Sequence, residues 1–359
     1  MEKIIRQSPP LDIRNIVDDS WLKDKTIIIT GGASGFGEGF LRRWAAAGAI
    51  VVIGDVNVKK GDQLIRELRR ETGNPHLHFV HCDVTDWQSQ VNLFRETLKL
   101  SPHGGIDTVV ANAGIARGED IFLEQEGLEA ANPPPPDLSI LNVNLTGLVY
   151  SSYLAFYHLQ RNPNSRPADP KCDPQDTHRD RHLLLISSVA GLFPLPGASL
   201  YGASKHGVVG LYRCIRATSF SHGIRVNLIC PYFMDTPILN ASARAIFAGG
   251  LLGNPEDVVE AATRFAADPR VVGRAVSVGP KLTVEESEDG EWKLTNAKNP
   301  SGIEKSIWEI YPHDFEQTDL FQRRMLGLLN RKVEGRGLTG VLVDLGAALL
   351  YALKSWWRS

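Results

Sequence analysis

The stretch TIIITGGASGFGEGFLRRWAAAGA, residues 26–49, runs from apolar β-branched residues through a glycine-rich turn into a helix-length segment. An unalternated apolar run of this kind marks a strand buried on both faces, the strand type of a parallel sheet covered by helices on both sides. In the turn, TGGASGFG (30–37), Gly31, Gly35 and Gly37 are spaced so that backbone can approach a pyrophosphate closely at a helix N-terminus. Three residues separate the first two glycines, so the spacing departs from G-x-G-x-x-G. Alone, the turn fits ordinary loop chemistry as well; its place on a first strand–turn–helix unit favours a nucleotide.

Working outward, five further runs have the same character: AIVVIG (49–54), LHFVHC (77–82), DTVVAN (107–112), HLLLIS (182–187) and RVNLIC (225–230). Segments between them, such as 86–100 and 201–222, are long enough for crossover helices. The alternation predicts an α/β fold: a doubly wound parallel sheet of Rossmann type, with helices on both faces, over residues 21–280. The polar, proline-bearing stretch 162–181 is expected as a surface insertion before the fifth strand. From about Val278 the rhythm stops. EESEDGEWKLTNAKNP (285–300) reads as a hairpin or loop, and 314–331 has helical spacing at Phe315, Leu320, Met325 and Leu328. Residues 281–359 are therefore read as a C-terminal extension packed on the core.

Composition narrows the function classes. The 359 residues are 43% hydrophobic and 22% charged, with a net charge of −2, values of an ordinary soluble domain without the basic field that nucleic acid needs. Cys82, Cys172, Cys214 and Cys230 show no C-x-x-C spacing, which argues against a disulfide framework or metal site and suits a reducing, cytoplasmic compartment. The N-terminal residues lack the apolar core of a secretory signal. Leu338 to Leu353 is the most apolar run, short for a membrane span and interrupted by Asp344. It suits a docked helix or an oligomer contact, and Trp356 and Trp357 leave weak membrane contact open.

The second strand ends in Asp55, within IGDVN. A carboxylate there can accept both ribose hydroxyls of an adenosine and repel a 2′-phosphate. Neither Ser34 nor Val56 supplies a basic side chain, so NAD is expected over NADP; otherwise Asp55 is a solvated strand-end aspartate. Further along, SLYGASKHG (199–207) places Tyr201 and Lys205 one helical turn apart among small residues.

Together these residues resemble the short-chain dehydrogenase/reductase family. TGGASGFG matches its TGxxxGxG loop, CDVTD (82–86) its adenine-contacting segment, and ANAG (111–114) its NAG signature. VNLTG (143–147), ISSVAG (186–191) and YGASK (201–205) complete the pattern, in order, over roughly 22–280. The resemblance implies Ser188, Tyr201, Lys205 and Asn144 as catalytic residues, Ser188 rather than Ser187 because it lies thirteen positions before Tyr201. It implies a cofactor site of Gly31, Ser34, Gly35, Phe36, Gly37, Asp55, Asp83, Val84, Asn112, Ala113 and Gly114, with Tyr201, Lys205 and Thr236 at the nicotinamide end. Dimers or tetramers are a habit of the family. After the sixth strand, CPYFMDTPI departs from the family's P-G pattern, with Tyr232 where glycine is common. Tyr232 either caps the strand or lines the substrate pocket.

The chemistry is coherent. Hydride can leave a secondary alcohol only as its hydroxyl proton is removed, and a free phenol with a pKa of about 10 is a poor base. Lys205 and the positive nicotinamide are expected to lower it; two to three units ask roughly 3–4 kcal/mol. Ser188 would stabilise the developing alkoxide or carbonyl, and Asn144 would hold a water that carries the proton from Lys205 to solvent. The apolar stretch 232–254, with Phe233, Ile238, Leu239, Phe247 and Leu251, suggests a hydrophobic secondary alcohol or ketone, steroid-, polyketide- or terpenoid-like. The combination is similar to NAD-linked members near the 15-hydroxyprostaglandin dehydrogenases and those of natural-product biosynthesis. Non-redox cyclisation or epimerisation on the same fold, and an NAD-sensing binding protein, are the competing functions.

Overall fold

The computed structural model describes residues 7–11, 13–116, 121–122, 125, 127–173, 178–234, 252–287, 292–295, 302–311 and 314. Its strands are β1 (Thr26–Thr30), β2 (Ile50–Asp55), β3 (Leu77–His81), β4 (Thr108–Ala111), β5 (His182–Ile186), β6 (Arg225–Pro231), β7 (Ala275–Glu286), β8 (Trp292–Leu294) and β9 (Ile303–Ile310). They form one sheet in the order β3-β2-β1-β4-β5-β6-β7-β8, with β9 on β7. Pairing from β3 through to β7 is parallel. The chain steps from β1 out to β3 and then returns to β4 on the other side of β1, which opens a crevice at the carboxyl ends of β1 and β4.

The flanking helices are α1 (Gly35–Ala46), α2 (Val58–Thr72), α3 (Trp87–Leu100), α4 (Leu148–Leu159), α5 (Ser199–Ile215) and α6 (Pro255–Ala267). Strand β1 shows why an unalternated run was needed. Ile27 and Ile29 join one apolar layer, with Phe40, Leu41 and Trp44 of α1 and Val258 and Phe265 of α6. Ile28 joins the other, with Leu93 and Phe94 of α3, Leu154 of α4 and Val208 and Tyr212 of α5. Each such side chain contributes roughly 1.5–3 kcal/mol when taken fully out of water.

The structure corrects one of the sequence-based expectations and adds to two others. The rhythm does not stop at Val278: β7 is a seventh parallel strand that pairs Leu228–Pro231 of β6 and runs on to Glu286. Gly279 and Pro280 disguised it. They fall at the irregularity between Val278 and Leu282, where the ladder to β9 shifts register, a position that tolerates a missing N–H. The stretch read as a hairpin or loop supplies β8, antiparallel to β7. The insertion is also tied down at both ends. Asn162 and Asp180 are buried, and Asn162 Nδ2 donates to Asp107 Oδ1 and to the Asp180 carbonyl, both at 2.9 Å.

The far end of α5 is clamped by the segment after β9. The Asp314 carboxylate accepts from Arg213 at 2.7 and 2.9 Å and from Arg216 at 2.6 Å. Buried Arg216 also reaches the Tyr212 hydroxyl (3.1 Å) and the Gly273 carbonyl (3.3 Å). Beyond Asp314, the helix expected over 314–331 and the apolar run Leu338–Leu353 lie outside the described residues. Among the described residues no helix is long and apolar enough to cross a membrane.

Candidate active site

The glycine-rich turn leaves β1 and enters α1. Gly31 takes φ +65°, and a Cβ there would stand 2.8 Å from the Ala113 Cα. A Cβ on Gly37 would stand 2.3 Å from the Gly31 carbonyl oxygen, so α1 packs directly on the turn. Gly35, by contrast, faces open space. Ser34 is the N-cap residue of α1 but gives it no side-chain hydrogen bond, which leaves the first-turn N–H groups of Gly35, Phe36 and Gly37 uncapped by a side chain. Free donors at a positive helix end, beside a surface with no side chain on it, fit a pyrophosphate. Gly37→Ala is expected to weaken nucleotide binding at least ten-fold without unfolding the chain, which titration of tryptophan fluorescence and a thermal melt would check together.

Asp55 stands at the end of β2, its Oδ2 accepting from the Ala33 N–H (3.0 Å) and its Oδ1 from the Asn57 N–H (2.9 Å). These bonds fix the carboxylate at the lip of the turn. Asp83 is similarly oriented, its Oδ1 accepting from the Thr85 N–H and hydroxyl, both at 2.8 Å. Val84 beside it is buried against Gly147. Asn112 donates its Nδ2 to the Thr30 and Gly31 carbonyls at 2.9 and 3.2 Å, locking the end of β4 to the turn. Gly114 then brings the backbone over the catalytic groups: a Cβ there would lie 3.4 Å from Asn144 Oδ1 and 3.7 Å from Lys205 Nζ.

Asn144 lies in a π-helical stretch, Asn142–Gly147, that leads into α4. That irregularity turns the buried amide inward. Its Oδ1 accepts from the Ile115 N–H at 2.8 Å, and its Nδ2 donates to the Ile115 carbonyl (2.9 Å) and Ser204 Oγ (3.3 Å). The Ser204 hydroxyl in turn donates to the Tyr201 carbonyl at 2.7 Å, tying this stretch to α5. Ser188, just after β5, accepts from the Ala190 N–H at 3.2 Å and reaches the Pro231 carbonyl at 3.5 Å. Ser187 points the other way and donates to the Lys205 carbonyl at 3.0 Å. Buried Lys205 sends Nζ to the Ile186 carbonyl at 3.4 Å and stands 5.7 Å from the centre of the Tyr201 ring.

The electrostatics differ from the expectation. Burial raises the Tyr201 phenol above its ordinary value, and the Ser188 hydrogen bond opposes this without overcoming it. Burial pushes Lys205 down to about 8. The Lys205 ammonium donates to the Ile186 carbonyl, and without a bound nicotinamide burial outweighs what favours the Tyr201 phenolate. Cys230 is fully buried nearby, its thiol pushed up to about 12 by burial, which fits packing rather than reactivity. His206 is exposed and turns its Nδ1 to the Gly202 carbonyl.

Several participants escaped sequence reasoning. Thr30 Oγ1 accepts from the N–H groups of Asn112 (3.0 Å) and Ala113 (3.2 Å), so the first residue of the turn holds the NAG segment. Gln90 is buried on α3 and donates to the carbonyls of Val84 (2.7 Å) and Gly147 (2.8 Å). Its signal was present: it shares the core face with Leu93, Phe94 and Thr97, where a polar residue needs a partner. Tyr232 is half-buried, packs edge-to-face on Phe233 at 4.9 Å and donates its N–H to the Val278 carbonyl. Thr236, and the apolar residues Ile238, Leu239, Phe247 and Leu251, lie outside the described residues. No group of three His, Cys, Asp or Glu among the described residues is arranged to hold a metal.

The comparisons with known proteins agree with this geometry. The short chain dehydrogenase family profile matches residues 25–246. The 5'-hydroxyaverantin dehydrogenase of Dothistroma septosporum is 36% identical over 289 residues, 77% of this chain and 90% of that protein. That of Emericella nidulans is 35% identical over 79% of this chain and 92% of its own length. An NADP-dependent dehydrogenase of a Phoma species is 31% identical over 77% of this chain and 80% of its own. Among solved structures, the 3-ketoacyl-(acyl-carrier-protein) reductase of Brucella melitensis, complexed with NADH, superposes with a TM-score of 0.57. It is 25% identical, and the match covers 72% of this chain and 97% of that one. With its cofactor turn, sheet order and sequence all pointing the same way, the chain belongs to the short-chain dehydrogenases, oxidoreductases that pair a nicotinamide cofactor with a small-molecule alcohol or ketone.

Proposed function

We propose that the protein is an NAD-dependent dehydrogenase that oxidises a hydrophobic secondary alcohol to its ketone, in secondary metabolism. The observation that carries this is the convergence of Ser188, Tyr201, Lys205 and Asn144 from three separate elements at the carboxyl end of the sheet, beside the nucleotide crevice. The likeness to two 5'-hydroxyaverantin dehydrogenases supports a hydroxyl substrate and a biosynthetic role.

Tyr201 takes the hydroxyl proton, and Ser188 holds the substrate oxygen while its bond order changes. A nicotinamide held in the crevice would take the hydride, and its positive charge would favour the Tyr201 phenolate. Lys205, cationic below about pH 8, orients the nicotinamide ribose and passes the proton outward. Asn144 keeps the π-helical stretch open beside it, so that a water can complete the path. Tyr232 and Phe233, packed edge-to-face at 4.9 Å just after β6, would offer an apolar wall to such a hydrophobic substrate.

NAD is assigned on Asp55, whose carboxylate, held by the Ala33 and Asn57 N–H groups, would accept the ribose hydroxyls and repel a 2′-phosphate. A screen of hydrophobic secondary alcohols, following reduced-nicotinamide absorbance with NAD and NADP in parallel, tests both assignments. Asp55→Ser is expected to lower kcat/KM for NAD by about ten- to a hundred-fold and to narrow the preference over NADP. Turnover with NADP alone in the unaltered protein would overturn the cofactor assignment, and product without reduced nicotinamide would overturn the redox one.

A further inference from the structure

Next to the glycine turn, in the first turn of α1, stands a second acidic residue that no motif reading selects. Glu38 directly follows Gly37, and its Oε2 lies 3.5 Å from Lys60 Nζ. Lys60 is in the first turn of α2, where its N–H donates to Asn57 Oδ1, and the Asn57 N–H donates to Asp55 Oδ1. Two links therefore span the gap between the glycine turn and the end of β2: Asp55 to Ala33, and Lys60 to Glu38. Arg42 is the other cation bound to Glu38, at 3.0 Å, and it is also held by Glu67 at 2.8 Å and Glu71 at 3.5 Å.

We infer that Glu38 is a specificity-determining residue: by sequestering Lys60 it denies a cation to the 2′-phosphate of NADP, while its own charge repels that phosphate. This rests on the crevice being the nucleotide site with Asp55 at the ribose. A 2′-phosphate brings about −1.5 to −2 of charge at neutral pH. To meet it, Lys60 must leave Glu38, and the exposed carboxylate then faces the phosphate. Arg42 is no substitute, because two further glutamates keep it. With glutamine at position 38 the repulsion disappears and Lys60 is released, whereas Arg42 stays with Glu67 and Glu71.

The test needs no substrate. Dissociation constants of the full chain for 5′-AMP, 2′,5′-ADP, NAD and NADP are measured by calorimetry, at low and high salt, for the unaltered protein, Glu38→Gln, Lys60→Met and the double variant. Glu38→Gln is expected to strengthen 2′,5′-ADP relative to 5′-AMP, and NADP relative to NAD, by about three- to ten-fold. High salt should erode that gain and Lys60→Met should remove it. An equal change for phosphorylated and unphosphorylated ligands, or a gain that survives Lys60→Met, would overturn the inference. The NADP-to-NAD ratio of the unaltered protein tests Asp55 separately, so the two assignments fail in different measurements.

Discussion

Tyr201→Phe is expected to lower kcat by about a thousand-fold or more while NAD still binds with nearly its original affinity. The substitution removes one oxygen, the only atom of Tyr201 that can take the alcohol proton, and positioned acid–base groups are worth about a hundred- to ten-thousand-fold. Binding survives because the glycine turn, Asp55 and the NAG segment stand on β1, β2 and β4, not on α5. Full activity in this variant would mean that another group moves the proton. Ser188→Ala gives a complementary signature. The Ser188 hydrogen bond lowers a phenol that burial has raised, so its removal raises the Tyr201 pKa further. The rising limb of the pH–kcat/KM profile for oxidation should then move to higher pH, in addition to any loss of rate. A profile that keeps its midpoint would place Ser188 on the substrate alone.

The candidate constellation could be picked out because its motifs are local in sequence even though their meeting point is not. Ser188, Tyr201 and Lys205 each sit at the end or on one face of an element whose sequence announces it, and the parallel sheet brings those ends together. Asn144 and its break in the helix were legible through the family resemblance alone, since NVNLTG itself carries no proline or positive-φ glycine to mark the π-helical geometry. The acidity of the phenol is set by more than helix spacing. Spacing places Lys205 on the same helix face as Tyr201, but only the packed site shows that desolvation dominates Tyr201 and that the ammonium turns to the Ile186 carbonyl. Strand β7 was hidden by Gly279 and Pro280 at its irregularity. The Glu38–Lys60 link was hidden because two charges twenty-two positions apart look like separate solvated faces until α1 and α2 are laid side by side.

Asp180→Ala is expected to cost about 3–5 kcal/mol, read as a urea midpoint or a melting temperature lower by roughly ten degrees. The carboxylate is buried under the sheet, where Arg225 donates to its Oδ1 at 3.0 Å and to its Oδ2 at 2.6 Å. Burial alone would raise the Asp180 pKa, but the charge and hydrogen bonds of Arg225 overrule it and hold the group at about 2. A folded pKa below the unfolded value of about 3.9 means that this stabilisation is complete above that pH and disappears as pH falls toward 2. The two partners should not be equivalent. Without Arg225, as in Arg225→Met, the Asp180 carboxyl can take a proton and become neutral; without Asp180, the guanidinium stays charged at any accessible pH. It would keep only the Phe265, Ala266 and Val271 carbonyls as acceptors, so Asp180→Ala should be the more damaging change. His182 adds a second pH dependence to the same cluster. Burial, and then the charge of Arg225, hold its imidazole well below 6.5, with the nearby Asp180 acting in the opposite direction. As pH falls below about 6.5 the unfolded chain binds a proton there that the folded chain refuses, and stability declines by up to about 1.4 kcal/mol per unit. His182→Leu should flatten that slope below about pH 6.5 while leaving the loss from Asp180 below about pH 3.9. If both slopes were to disappear together, the two groups would be titrating as one unit, and the neutral imidazole would be part of what keeps the Asp180–Arg225 pair dry.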